Sequence, residues 1–179
     1  MRTYTMEETS AYSKKYTRSD IHPFLMKKPY TLRVIDVEED KDFQKKDIDL
    51  LWIYKHKGAE LMKRVEVKVD RYDKTGNYFI ETVSNCTKNT PGCFLYTEAD
   101  VLFYYFPGSK ELNVLPMAEA REWFLKNQHK FKEITLSTTG WDNVLYESKG
   151  KLVPKKMMNE MVEGVRVFKK GVCIFKNSA

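Results

Sequence analysis

DIDLLWIYKHKGAELMKRVEVKVDRYDKTGNYFIE, residues 47–81, decides how this chain folds. It reads as three short strands joined by turns. The first, Ile48–Tyr54, is an apolar run rich in Leu, Ile, Trp and Tyr, closed by His56-Lys57-Gly58-Ala59. The second, Arg64–Val69, alternates strictly: Val65, Val67 and Val69 point one way, Arg64, Glu66 and Lys68 the other. Asp73-Lys74-Thr75-Gly76-Asn77 is a turn cluster, and Tyr78–Val83 is the third strand, expected in the same sheet. The alternation puts Glu66 and Lys68 on one face, about 7 Å apart along the strand. Asp49 opens the neighbouring strand, so antiparallel pairing decides whether it meets Glu66.

Hydrolysing a phosphodiester is the chemistry that such a trio suits. Carboxylate oxygens hold Mg²⁺, which polarises the phosphate and activates water. A lysine ammonium stabilises the charge that grows on the phosphate. A solvated strand face with alternating charges accounts for Glu-x-Lys alone, and the upstream acid is what separates the two readings.

Going outward from this stretch, Thr31–Val37 is an alternating strand followed by an acid-rich loop, Glu38–Asp42. Upstream, residues 1–15 are polar and read either as a loose arm or as the start of a helix. Ser19 or Asp20 is placed to cap a short helix that Pro29 stops. Downstream, Phe94–Ala99 is a short helix or turn, and Val101–Phe106 and Glu111–Leu115 form a hairpin about Pro107-Gly108. Residues 116–128 make the best helix: proline in the first turn, Glu119 and Glu122 early, Lys126 late, and a stripe of Met117, Ala120, Trp123 and Phe124. Beyond it the signals are weaker. They predict a strand at 134–136, a turn at Gly140-Trp141-Asp142, a hairpin over 145–153 about Lys149-Gly150, a helix at 154–162, and a final hairpin of 165–168 with 172–175. The lysines at 155, 156, 169, 170 and 176 form either a DNA-contacting surface or a solvated rim.

The chain's 179 residues suit one domain with a sizeable core. Its net charge of +6 is compatible with a polyanionic partner. No run approaches the roughly 18 apolar residues of a membrane helix, and the polar N-terminus is not a signal peptide. Three cysteines, Cys86, Cys93 and Cys173, are an odd number without zinc-site spacing, which points to a reduced, cytoplasmic protein. His22, His56 and His129 are scattered, excluding a His-metal nuclease, and no Gly-rich phosphate loop supports ATP-driven action.

An acid opening one strand, with Glu-Val-Lys on the next, resembles the PD-(D/E)XK nuclease superfamily, whose members include resolvase-like and phage-encoded enzymes. In that pattern Asp49 matches the first acid, Glu66 the second and Lys68 the lysine, while Ile48 stands where the literal motif has proline. The resemblance implies an α/β, restriction-endonuclease-like fold, with a mixed central sheet flanked by helices. It also implies a single domain over 1–179: an N-terminal arm and helix (1–30), a catalytic core (31–128) and a C-terminal elaboration (129–179). The activity implied is Mg²⁺-dependent DNA endonuclease, structure-selective or sequence-selective, with Mn²⁺ able to substitute. The implied metal ligands are Asp49, Glu66 and the backbone carbonyl of Val67. Accessory acids are Asp20 from the preceding helix, Asp47 and Glu81, with Glu38, Glu39 or Asp40 as nominees from the loop. Asp20 has a plain N-cap as its alternative, and the loop acids a solvated turn. Two nicks need two sites, which implies a homodimer. The alternative function is a non-catalytic nucleic-acid- or partner-binding protein on the same scaffold.

Overall fold

A computed structural model describes residues 4–140 and 145–178. The chain is a mixed α/β protein in three layers, and among the described residues its strands form two sheets.

The N-terminal layer is helical. Thr5 caps α1 (Met6–Tyr16) with a full capping box: its hydroxyl accepts from the Glu8 N–H, and the Glu8 carboxylate accepts from the Thr5 N–H. The helix runs without a break through a π-helical turn, Thr17–Ile21, into α2 (His22–Met26), whose proline sits in the first turn. Residues 6–15 are therefore helix rather than a loose arm. Asp20 lies inside the π turn, so it is not an N-cap.

Strands β1 (Thr31–Asp36), β2 (Leu50–His56) and β3 (Ala59–Val69) form an antiparallel meander, with the short α3 (Lys41–Gln44) between β1 and β2. The β2–β3 turn needs only Lys57 and Gly58, both at positive φ (50° and 86°), the geometry of the tightest hairpins. That is why β3 begins at Ala59, five residues before the valine alternation starts.

The chain then leaves the sheet. β4 (Asn77–Asn85) and the two-residue β5 (Thr90–Pro91) belong to the second sheet, contrary to the expectation of one sheet over 48–83. Asp70 marks the exit: it accepts from the Tyr104 hydroxyl at 2.6 Å and from the Tyr72 N–H at 2.7 Å. After α4 (Cys93–Tyr96) the chain returns as β6 (Val101–Phe106), parallel to β3, and turns back as β7 (Glu111–Pro116). The helix α5 (Met117–Asn127) follows as its pattern predicts.

Residues past 128 extend both sheets. β8 (Lys132–Thr139) and β9 (Leu145–Pro154) pair in the second sheet, which runs β5-β4-β9-β8. The expected hairpin about Lys149-Gly150 is instead one continuous strand. Gly150 is there because the Phe79 ring crosses it: an added Cβ would lie 2.4 Å from that ring. Trp141 and Asp142 of the predicted turn lie outside the described residues. After α6 (Lys155–Met161), β10 (Arg166–Lys169) and β11 (Val172–Lys176) form the final hairpin and complete the seven-stranded sheet, β1-β2-β3-β6-β7-β10-β11.

Alternation along β3 and β6 sends successive side chains into two cores. Val65, Val67, Val101, Phe103 and Tyr105 pack with Ile21 and Leu25 beneath the N-terminal helices. Leu102, Tyr104 and Phe106 pack with Tyr78, Ile80 and Val153 of the second sheet and with Phe124 of α5. Each such large side chain removed from water contributes about 1.5–3 kcal/mol before entropy is charged. Glu66 and Lys68 share the second face, so they lie between the sheets rather than in solvent.

No helix among the described residues is long and apolar enough to cross a membrane.

Candidate functional site

Pairing of Leu50 with Val65 sets Asp49 opposite Glu66, on the inter-sheet face. Asp49 is fixed by its own strand mouth. Its N–H donates to the Val65 carbonyl at 2.9 Å, and its Oδ2 accepts from the Val67 N–H at 2.8 Å. The carboxylate thus takes the backbone donor that β2, which begins only at Leu50, does not reach.

Asp47 precedes it in the left-handed region, at φ 55°, where Asp is among the better-tolerated residues. The turn is pinned from the far side: the Thr97 hydroxyl donates to the Asp47 carbonyl at 2.7 Å, and the Glu98 N–H donates to the Lys46 carbonyl. The same segment carries Cys93 at the start of α4. Gly92 N–H donates to the Thr82 carbonyl, and Arg121 of α5 donates to the carbonyls of Phe94 and Thr97. Three separate elements therefore converge, and ligand atoms of Asp47, Glu66 and Cys93 lie within 4.8 Å of one another.

Gly92 is required by this arrangement, because a Cβ would stand 2.1 Å from the Glu81 carbonyl oxygen, a backbone atom. Gly92→Ala should cost on the order of 1–3 kcal/mol through overpacking. Urea denaturation reads this directly; an unchanged midpoint would mean that the loop shifts freely.

The electrostatics are those of an acid cluster crowded out of water. Burial raises the Asp49 carboxyl to about 7, helped by Glu38 and Asp47 and opposed by the Val67 N–H. Burial, then the charges of Asp49 and Asp47, push Glu66 well above the carboxylate range. Burial also raises Asp47, against the pull of Lys68. The Cys93 thiol is pushed up to about 12, chiefly by burial. Burial works against the Lys68 ammonium, yet Cys93, Glu81, Asp70 and Glu66 together outweigh it and hold its pKa above the ordinary lysine value. Lys68 is therefore a permanent cation at neutral pH. It lies 5.7 Å from the centroid of the Phe79 ring, which roofs it from the second sheet. Two buried carboxylate oxygens, Asp47 Oδ2 and Glu66 Oε2, accept no hydrogen bond.

Asp49, Glu66 and Lys68 are thus brought to one face, with Asp47 beside them and Glu81 of β4 close enough to bias both Asp47 and Lys68. Asp20 is not with them. It accepts a short hydrogen bond from the Tyr105 hydroxyl on the opposite face of the sheet, packed with the N-terminal helices. Of the loop acids, Glu38 biases Asp49 while its carboxylate meets Lys14 at 3.9 Å. Glu39 pairs with Lys14, and Asp40 caps α3. Cys93 was not predicted, and nothing local marks it: its place comes from contacts across 27 and 46 residues of chain with Glu66 and Asp47.

Compared with family models, curated proteins and solved structures, the chain matches none significantly.

Proposed function

We propose that this chain is a Mg²⁺-dependent endonuclease that hydrolyses DNA phosphodiester bonds, on a restriction-endonuclease-like variant of the mixed α/β fold. The observation that carries the reading is the convergence of Asp49 and Glu66 from adjacent strands beside a lysine kept charged, Lys68. Two orphaned buried carboxylate oxygens in the same cluster favour a cation as their missing partner.

The donor chemistry fits a hard ion at one edge. Asp49 and Glu66 offer carboxylate oxygens, and the Val67 carbonyl points to the same strand edge as its N–H, which meets Asp49. These three would hold Mg²⁺, which takes oxygen ligands and keeps several waters. When bound it polarises the scissile phosphate and activates water. The residues themselves orient and stabilise. The Val67 N–H holds Asp49 in place, so the carboxylate needs little reorganisation to act as a ligand. Lys68, being permanently protonated, does not act as a base; its ammonium stabilises negative charge as it builds on the phosphate.

Supercoiled, linear, single-stranded and branched DNA incubated with Mg²⁺, Mn²⁺ or EDTA tests the reading. Metal-dependent nicking lost in Glu66→Gln is expected. No cleavage of any form with either metal would leave the second reading, a non-catalytic binding protein. The Phe79 roof over Lys68 favours that reading, since it narrows access to the ammonium.

Several basic groups are already engaged. Lys14 meets Glu38 and Glu39, Lys46 meets Glu98, and Lys155 is held by Glu111 at 2.8 Å with both side chains largely covered. Lys169 and Lys170 are exposed at the last hairpin. DNA affinity should fall linearly with salt on logarithmic axes, and Lys169→Ala/Lys170→Ala should flatten that slope while sparing the cleavage step. Gel-shift titrations at several salt concentrations measure it; a slope unchanged in the double variant would move the phosphate contacts elsewhere.

A further inference from the structure

We propose that Asp47, Glu66 and Cys93 form a second cation site, which takes a thiophilic divalent ion of the Zn²⁺ or Co²⁺ class in preference to Mg²⁺. The inference goes beyond the nuclease reading and does not depend on it; only Glu66 is common to both.

The geometry comes first. A carboxylate on the turn before β2, a carboxylate on β3 and a thiol on α4 place ligand atoms within 4.8 Å of one another. Zinc binds oxygen at about 2.0–2.2 Å and sulfur at about 2.3 Å. In a tetrahedral site two ligand atoms then stand roughly 3.5 Å apart, so small side-chain rotations close the set. The backbone behind each ligand is fixed by the hydrogen bonds that tie the Asp47 turn and α4 to the same Thr97–Glu98 segment.

An independent sign of a ligand is the unpartnered carboxylate. Glu66 is 9% exposed, and its Oε2 accepts no hydrogen bond. Asp47 Oδ2 is likewise buried and unpaired. Lys68 lies close enough to act on both acids, yet neither orphaned oxygen accepts from its ammonium. Charge points the same way. Asp47, Asp49, Glu66 and Glu81 bias one another or Lys68, so four carboxyl groups and a thiol gather around one ammonium.

Sulfur decides the kind of ion. Mg²⁺ prefers oxygen and sheds its waters reluctantly, whereas a thiolate selects zinc-like metals over magnesium. Three protein ligands leave one position open in a four-coordinate site. Because Glu66 serves both sites, a zinc-class ion bound here takes an oxygen donor that Mg²⁺ would otherwise use.

Cobalt(II) reports the site through its sulfur-to-metal charge-transfer absorption, which requires a thiolate ligand and does not depend on any activity. Titration of the reduced, metal-free full chain should produce this band, saturating at one Co²⁺ per chain. Zn²⁺ should abolish it, and excess Mg²⁺ should not. Cys93→Ser should lose it. Should that variant fail to fold, the Cys86→Ser/Cys173→Ser double variant still decides the matter, since it leaves Cys93 as the sole thiol and should keep the full band. Absence of the band in the parent, or its loss in the double variant, overturns the proposal. A chain that shows the band but cuts no DNA refutes the nuclease reading alone, and one that cuts DNA without the band refutes the second site alone.

Discussion

Replacing Lys68 with alanine should slow single-turnover DNA cleavage by on the order of 10²–10³, about 3–4 kcal/mol of transition-state stabilisation. The ammonium sits on the face of β3 that carries Glu66, and its neighbours keep it charged. On the proposed nuclease reading its contribution would be felt as charge builds on the phosphate, so it would appear in the rate more than in binding. DNA affinity, which in such proteins rests on many phosphate contacts, should change little. Stability should also fall, on the order of 1–3 kcal/mol, because Glu81 and Asp70 lose the cation that their carboxylates face. Assays therefore belong well below the melting temperature, with circular dichroism confirming the fold. Lys68→Gln, which keeps most of the stem and removes the charge, should show the same rate loss. Parental rates in both variants would make Lys68 a structural counter-ion and remove the catalytic role assigned to it.

A solvated strand face, the alternative that accounts for Glu-x-Lys alone, would leave Lys68 silent for folding, whereas a place between two sheets does not. The alternation of Val65, Val67 and Val69 correctly separates two faces, and the pairing of β2 with β3 does bring Asp49 to Glu66. Local periodicity reports which residues share a face; it does not report what covers that face. The cover is the second sheet, assembled from β4, β5, β8 and β9, and those pairings are non-local. For the same reason Tyr78–Val83 looked like the next strand of the first sheet. Its residues have strand character in either sheet, and only the exit at Asp70 and the seating of Tyr78 against Tyr104 and Phe106 decide between them. Ala59–Lys63 went unread because Leu61 and Met62 are exposed, so the ladder with β2 holds these residues without an apolar pattern.

The site was legible to a similar depth. Asp49, Glu66 and Lys68 lie within one hairpin, where spacing translates into position. Asp20 was misplaced because helical order along the chain does not say on which side of the sheet a helix packs; Tyr105, odd-numbered on β6, faces the helices and claims it. Cys93 carried no spacing signal at all. Only the packing of α4 against β4, with Gly92 pressed on the Glu81 backbone, brings a thiol to two carboxylates.

Asp49→Asn should abolish cleavage and, in metal-free protein at alkaline pH, make the fold more stable than the parent. The carboxyl titrates at about 7 in the folded state, against roughly 3.9 in an unfolded chain. A raised acid pKa means that the folded state binds more protons than the unfolded state between those values. Stability contributed by this group is therefore present at low pH, declines as pH rises from about 4 to about 7, and is at its minimum above that. Asparagine carries no charge, and its carbonyl oxygen can still accept from the Val67 N–H while its amide donates toward the acids. The variant escapes the penalty, a gain on the order of 2–4 kcal/mol at pH 8 that vanishes near pH 4. Divalent metal should invert the order. Parent protein gains stability in proportion to its metal affinity, whereas the variant, short of one anionic ligand, gains far less at the Mg²⁺ site. Urea denaturation at pH 4 and pH 8, in EDTA and in Mn²⁺, reads all four conditions. A parent as stable as Asp49→Asn at pH 8 in EDTA would show that Asp49 is not held as a strained buried acid. Equal stabilisation of both proteins by Mn²⁺ would remove it from the metal site.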